Sequence, residues 1–92
     1  MTGPIAENLL ARHLANPFLV LGLPPSVGAA EVEREGQKLL ALLAAGVAGS
    51  DRYPTPLGDR PRTPELVRAA LADLRDPERR LAAEWWARGW DR

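Results

Sequence analysis

Three tryptophans, two adjacent arginines, a tyrosine and one histidine are the side chains here whose chemistry goes beyond packing, and their spacing suits binding better than bond-making. Trp85 and Trp86 are neighbours and Trp90 lies four residues after Trp86, so Trp86 and Trp90 share a helix face while Trp85 sits one turn after Leu81. The core is expected to take Trp85 or Trp86 inward. All three cannot point inward, and an exposed tryptophan is the residue type that anchors partner contacts. Arg79 and Arg80 could grip an acidic partner or a phosphate through paired N–H donors. They could equally pair locally, Arg79 with Asp76 and Arg80 with Asp76 and Glu84. Tyr53, at the head of Tyr53-Pro54-Thr55-Pro56, reads as an extended recognition segment or as the anchor of a loop. His13 has no Ser, Asp or Cys beside it in a nucleophile motif and reads as a surface residue.

Composition narrows the chemistry further. There is no cysteine, which removes disulfides and thiolate catalysis, and a single histidine gives little for a transition metal to bind. No glycine-rich phosphate loop or metal-ligand cluster is present, so neither an enzyme nor a cofactor is expected. Twelve basic residues balance twelve acidic ones, which removes the electrostatic footprint of a nucleic-acid binder and any steering toward an anionic membrane. Glu7, Arg12 and His13 interrupt the N-terminal apolar positions, so no secretory signal is read there, and the run Leu39–Val47 is too short to cross a bilayer. A cytoplasmic protein is expected.

Ninety-two residues make one compact body. Only five residues are aromatic, so leucine, valine and alanine must fill most of the core, a composition that favours packed helices. Ile5, Leu9, Leu10 and Leu14 recur at near-helical spacing behind Pro4 and predict a short N-terminal helix. Asn16-Pro17 then caps a second one, stopped by Gly22 and Pro24-Pro25. The longest helix is predicted over Ala29–Ala45, with Val32, Leu39, Leu40 and Leu43 along one side. Gly36 inside it would cost roughly 1 kcal/mol relative to alanine at an exposed site, so it is tolerated either by chance or because another backbone passes close by. Three glycines, three prolines and two aspartates make Gly46–Arg62 a long loop without regular structure. Thr63-Pro64 opens a helix whose buried face is Leu66, Val67, Ala70, Leu71 and Leu74, and Asp76-Pro77 opens the last, to about Trp90.

Val20-Leu21-Gly22-Leu23 and, fifty residues on, Ala70-Leu71-Ala72-Asp73-Leu74-Arg75-Asp76-Pro77-Glu78-Arg79-Arg80 resemble the start and end of a J-domain, the DnaJ-like co-chaperone module. The resemblance spans about Asn16 to Trp86. It implies an all-α J-like bundle over residues 16–92, with an antiparallel long helix pair, a short helix before it and a C-terminal helix after it, and with residues 1–15 as a helical extension. The family stimulates a heat-shock ATPase through a His-Pro-Asp tripeptide after its second helix. Aligning Lys38-Leu39 with the family's Lys-Leu puts Ala44-Ala45-Gly46 there, and Glu31, Glu33 and Glu35 dilute the family's basic face around Arg34 and Lys38.

The expectation is therefore a non-catalytic, J-like interaction adaptor binding a protein partner through Trp86, Trp90, Arg79, Arg80 and Tyr53. Two alternatives are a divergent co-chaperone in which Asp51 or Asp59 replaces the missing aspartate, and a structural subunit that docks or self-associates through the apolar stripe of the N-terminal helix.

Overall fold

Asn16 starts the first element that the computed structural model describes in full; the described residues are 13–90, with side chains through 88. The helix expected over Ile5–Leu14 thus lies outside them except for His13 and Leu14, which are helical. Asn16 keeps an extended backbone and its Oδ1 accepts the Phe18 N–H at 2.9 Å, so helix α1, Pro17–Leu21, starts with one of its orphan donors satisfied. Gly22 ends it at φ 69°, a left-handed conformation that lets Leu23 N–H reach back to the Phe18 carbonyl.

Helix α2 runs Ala29–Ala44 and buries Val32, Gly36 and Leu39, one residue per turn on a single stripe, with Leu40 and Leu43 half covered beside it. Helix α3, Pro64–Arg75, is capped by Thr63 Oγ1 accepting from Leu66 N–H at 3.1 Å, and buries Val67, Ala70, Leu71 and Leu74. Asp76 Oδ1 accepts from Glu78 and Arg79 N–H and opens helix α4, Pro77–Trp90. The caps expected at Asn16, Thr63 and Asp76 are all formed.

Helices α2 and α3 are antiparallel, since Gly36 meets Leu71 while Glu33, earlier on α2, meets Arg75, later on α3. A Cβ built on Gly36 would lie 2.7 Å from Leu71 Cδ1 and 2.8 Å from Leu71 Cγ. The neighbour that crowds the glycine is a buried side chain, where the sequence offered either chance or a passing backbone. At the open end of this contact Arg75 forks onto Glu33, Nε to Oε1 at 2.6 Å and Nη2 to Oε2 at 2.9 Å. That hydrogen-bonded guanidinium holds the Glu33 carboxyl below its ordinary range. The pair therefore stabilises the fold above the unfolded carboxylate value of about 4.3, and its contribution is lost as pH falls through the lower folded value. In thermal melts the deficit of Glu33→Gln against the parent should shrink as pH drops from about 7 to about 3. Both side chains are about half exposed and salt-screened, so the deficit stays small.

The loop is more ordered than its breakers suggest. Strands β1, Arg52–Tyr53, and β2, Arg60–Pro61, pair antiparallel with Tyr53 opposite Arg60, making a small hairpin whose tip carries exposed Leu57. Two side chains fasten it. Tyr53 is buried and its hydroxyl donates to the Leu14 carbonyl at 2.9 Å; Arg62 donates to the Val20 and Ser50 carbonyls and lies over the Tyr53 ring. The core so closed is Phe18, Val20, Leu21, Val27, Val32, Leu39, Tyr53, Val67, Leu71 and Leu74, with Ala83 and Ala87 from α4. Each large member is worth roughly 1.5–3 kcal/mol of buried apolar surface. The described residues are thus mainly helical, with one two-stranded ribbon. Among the described residues no helix is long and apolar enough to cross a membrane.

Candidate functional groove between α1, α3 and α4

The inward face of α4 is alanine. Ala83 and Ala87 touch the core, so neither Trp85 nor Trp86 enters it, contrary to the sequence expectation; they are 75% and 49% exposed. The physical reason is spacing. Ala83 and Ala87, one turn apart, hold the core-facing positions of α4. Trp85, two residues from each, falls on the opposite side of the helix, and Trp86, three after Ala83, sits at the edge of the core-facing side against His13. The core took its aromatic volume from Phe18 and Tyr53 instead.

Because alanines also line the facing side of α3, the two helices leave a groove of about 520 Å³ beside α1. Ala69 and Ala70 from α3, Ala82 and Ala83 from α4, and Pro17 form its apolar lining, with Leu66 beside them. The Trp86 ring forms part of one wall, tilted 38° against the His13 ring with centroids 4.1 Å apart. The groove is also bordered by Arg79, whose Nη1 is 3.6 Å from Asp73 Oδ1. Both side chains of this pair are largely solvated, so it is worth under about 1 kcal/mol and does not lock the guanidinium away from a competing carboxylate. Buried Asn16 faces the groove as well.

Of the five residues that the sequence nominated, the structure brings Trp86 and Arg79 together on this groove. Arg80 turns inward. Its Nε bonds Glu84 Oε1 at 2.9 Å, its Nη2 donates to the Pro25 and Val27 carbonyls, and its guanidinium lies over Phe18, so it ties α4 to the α1–α2 connection. Tyr53 serves the hairpin. The Trp90 side chain lies outside the described ones. Arg79 was expected to reach Asp76, but that carboxylate is occupied with capping, and Asp73 takes its place. His13, Asp73 and the alanine floor were not anticipated as lining. A signal for the Asp73–Arg79 pair does exist, since the two flank the Asp76 turn at equal distance and a reversal there brings them face to face.

At the far end of α2, Ala44 and Ala45 are exposed and Gly46 closes the helix by donating to the Leu43 carbonyl. No imidazole or carboxylate stands in that tripeptide. Asp51, from the loop, lines a small hollow with Leu43, Gly46 and Ser50. Among the described residues no group of three or more His, Asp or Glu is gathered as a metal would need. Compared with family models, curated proteins and solved structures, the chain matches none.

Proposed function

We propose that this chain is a non-catalytic, J-like helical adaptor that holds a protein partner in the groove between α1, α3 and α4 and does not stimulate a heat-shock ATPase. The antiparallel α2–α3 pair, preceded by Val20-Leu21-Gly22-Leu23 and followed by the Asp76-Pro77 turn, supports the J-like assignment. The observation that carries the adaptor reading is the groove itself. It is concave, mostly apolar, within the size range of binding sites, and bordered by a half-exposed tryptophan and a weakly held arginine. The loss of stimulation rests on Ala44-Ala45-Gly46, which carries neither proton-transferring nor charged groups. On this reading the protein works in the cytoplasm, without cofactor, and binds neither nucleic acid nor membrane.

Two measurements test it together. Adding the full chain to a heat-shock ATPase chaperone should leave the hydrolysis rate at its basal value. Affinity capture should recover a stoichiometric protein partner that Trp86→Ala loses by about tenfold or more, with helicity retained, because Trp86 contributes nothing to the buried core. Capture unaffected by Trp86→Ala removes the groove from consideration. A second reading is favoured by the position of Asp51 beside Gly46: a divergent co-chaperone whose aspartate comes from the loop. ATPase stimulation that Asp51→Asn abolishes would establish it in place of the adaptor.

A further inference from the structure

The outer face of α4, opposite Ala83 and Ala87, carries Glu78, Leu81, Trp85 and Arg88, all exposed, with Leu81 at 68% and Trp85 at 75%. Leu81 and Trp85 are one turn apart and form a single apolar stripe. The groove lies on a different side of the helix, so nothing in the partner reading uses this face. Among the described residues no ion pair within the chain engages Glu78 or Arg88.

The order of these residues is self-complementary. Leu81 lies two residues before the level of Ala83 and Trp85 two after; Glu78 lies five before and Arg88 five after. An antiparallel copy of α4 related by a two-fold axis at that level places Leu81 over the partner's Trp85, and Glu78 against the partner's Arg88. Each contact then occurs twice, as an isologous interface requires. The formal net charge of zero opposes this association with no long-range repulsion. We infer that this face is a homodimer interface in which two α4 helices pack antiparallel, Leu81 on Trp85 and Glu78 on Arg88. A helix of fourteen residues is about 21 Å long, so the contact is smaller than a standard stable interface and the dimer is weak, with a Kd on the order of 100 µM.

Sedimentation equilibrium of the full chain at low ionic strength, from about 10 µM to about 1 mM, reads this directly. The weight-average mass should rise from 10.0 kDa toward twice that value. Glu78→Arg and Arg88→Glu each put two like-charge pairs at the interface and should weaken association about tenfold. An equimolar mixture of these two variants restores both attractive pairs across a heterodimer and should associate like the parent. Trp85→Ala should remain monomeric, and circular dichroism confirms that every variant is folded. A parent that stays at 10.0 kDa throughout overturns the inference, leaving the face to a different partner or to solvent. So does a mixture no better associated than either variant alone, which would mean a different geometry.

Discussion

Gly36→Ala is expected to lower the thermal midpoint, by up to roughly 15 °C, although alanine is the better helix former. Propensity alone favours the substitution by about 1 kcal/mol. Opposing it is contact: a Cβ at this position comes within 2.8 Å of Leu71 Cγ and nearer still to both methyl carbons. Leu71 is itself 2% exposed, so its displacement has to be absorbed by the core around it. Overpacking a filled core costs roughly 1–3 kcal/mol, so contact outweighs propensity by up to about 2 kcal/mol, and in a domain of this size each kcal/mol moves the midpoint by roughly 4–8 °C. The cause can be isolated by reversing the sign. Leu71→Ala alone should cost about 2–5 kcal/mol through the cavity it leaves. In that background Gly36→Ala partly fills the cavity and also gains propensity, so it should stabilise by about 1 kcal/mol or more. If Gly36→Ala stabilises the parent chain, the α2–α3 contact is looser than described and the closeness of the two helices does not depend on glycine.

The same contact shows what could be read from the sequence and what could not. Helix starts were legible because capping is local: Asn16-Pro17, Thr63-Pro64 and Asp76-Pro77 each carry acceptor and preset φ within two residues, and all three begin helices. The α2 and α3 stripes were legible because their leucines and valines recur with the helical period. The inward face of α4 was not, since its core contacts are alanines, which periodicity cannot separate from exposed ones. Tryptophan, the larger apolar residue, drew the assignment that Ala83 and Ala87 in fact hold. The hairpin escaped notice because its strands are two residues long and its stability comes from Tyr53 and Arg62 reaching carbonyls 39 and 42 residues away in the chain. In the groove, Trp86 and Arg79 were chosen for their side-chain chemistry. His13 enters only through a stacking partner 73 positions on, a pairing that no local pattern encodes.

Asn16 is the residue where local and long-range requirements meet, and Asn16→Asp should expose the difference as a pH-dependent loss of about 3 kcal/mol at neutral pH. As helix caps, asparagine and aspartate are equivalent, so the bond accepted from Phe18 N–H survives the change. The other half of the side chain is not equivalent. Nδ2 donates to the Ala83 carbonyl at 3.1 Å, joining the start of α1 to the middle of α4, in a residue only 4% exposed. A carboxylate there sets an anionic oxygen against a carbonyl oxygen inside the protein, and the remedy is protonation, after which the acid donates the missing bond. Its folded pKa is therefore raised above the unfolded value of about 3.9. Between these two values the folded form binds a proton that the unfolded form does not, so stability falls as pH rises and levels off above the folded pKa. The chain as a whole is expected to be stable by about 5–14 kcal/mol, so the neutral-pH loss is a large part of it. Denaturant titrations of Asn16→Asp against the parent should show a gap that nearly closes at about pH 3 and is widest near about pH 7. Asn16→Ala, lacking both bonds, should show a deficit of about 2 kcal/mol that does not vary with pH. A constant gap for Asn16→Asp would mean that the new carboxylate reaches solvent through the groove, and that the tie from Asn16 to Ala83 contributes little to holding α4 in place.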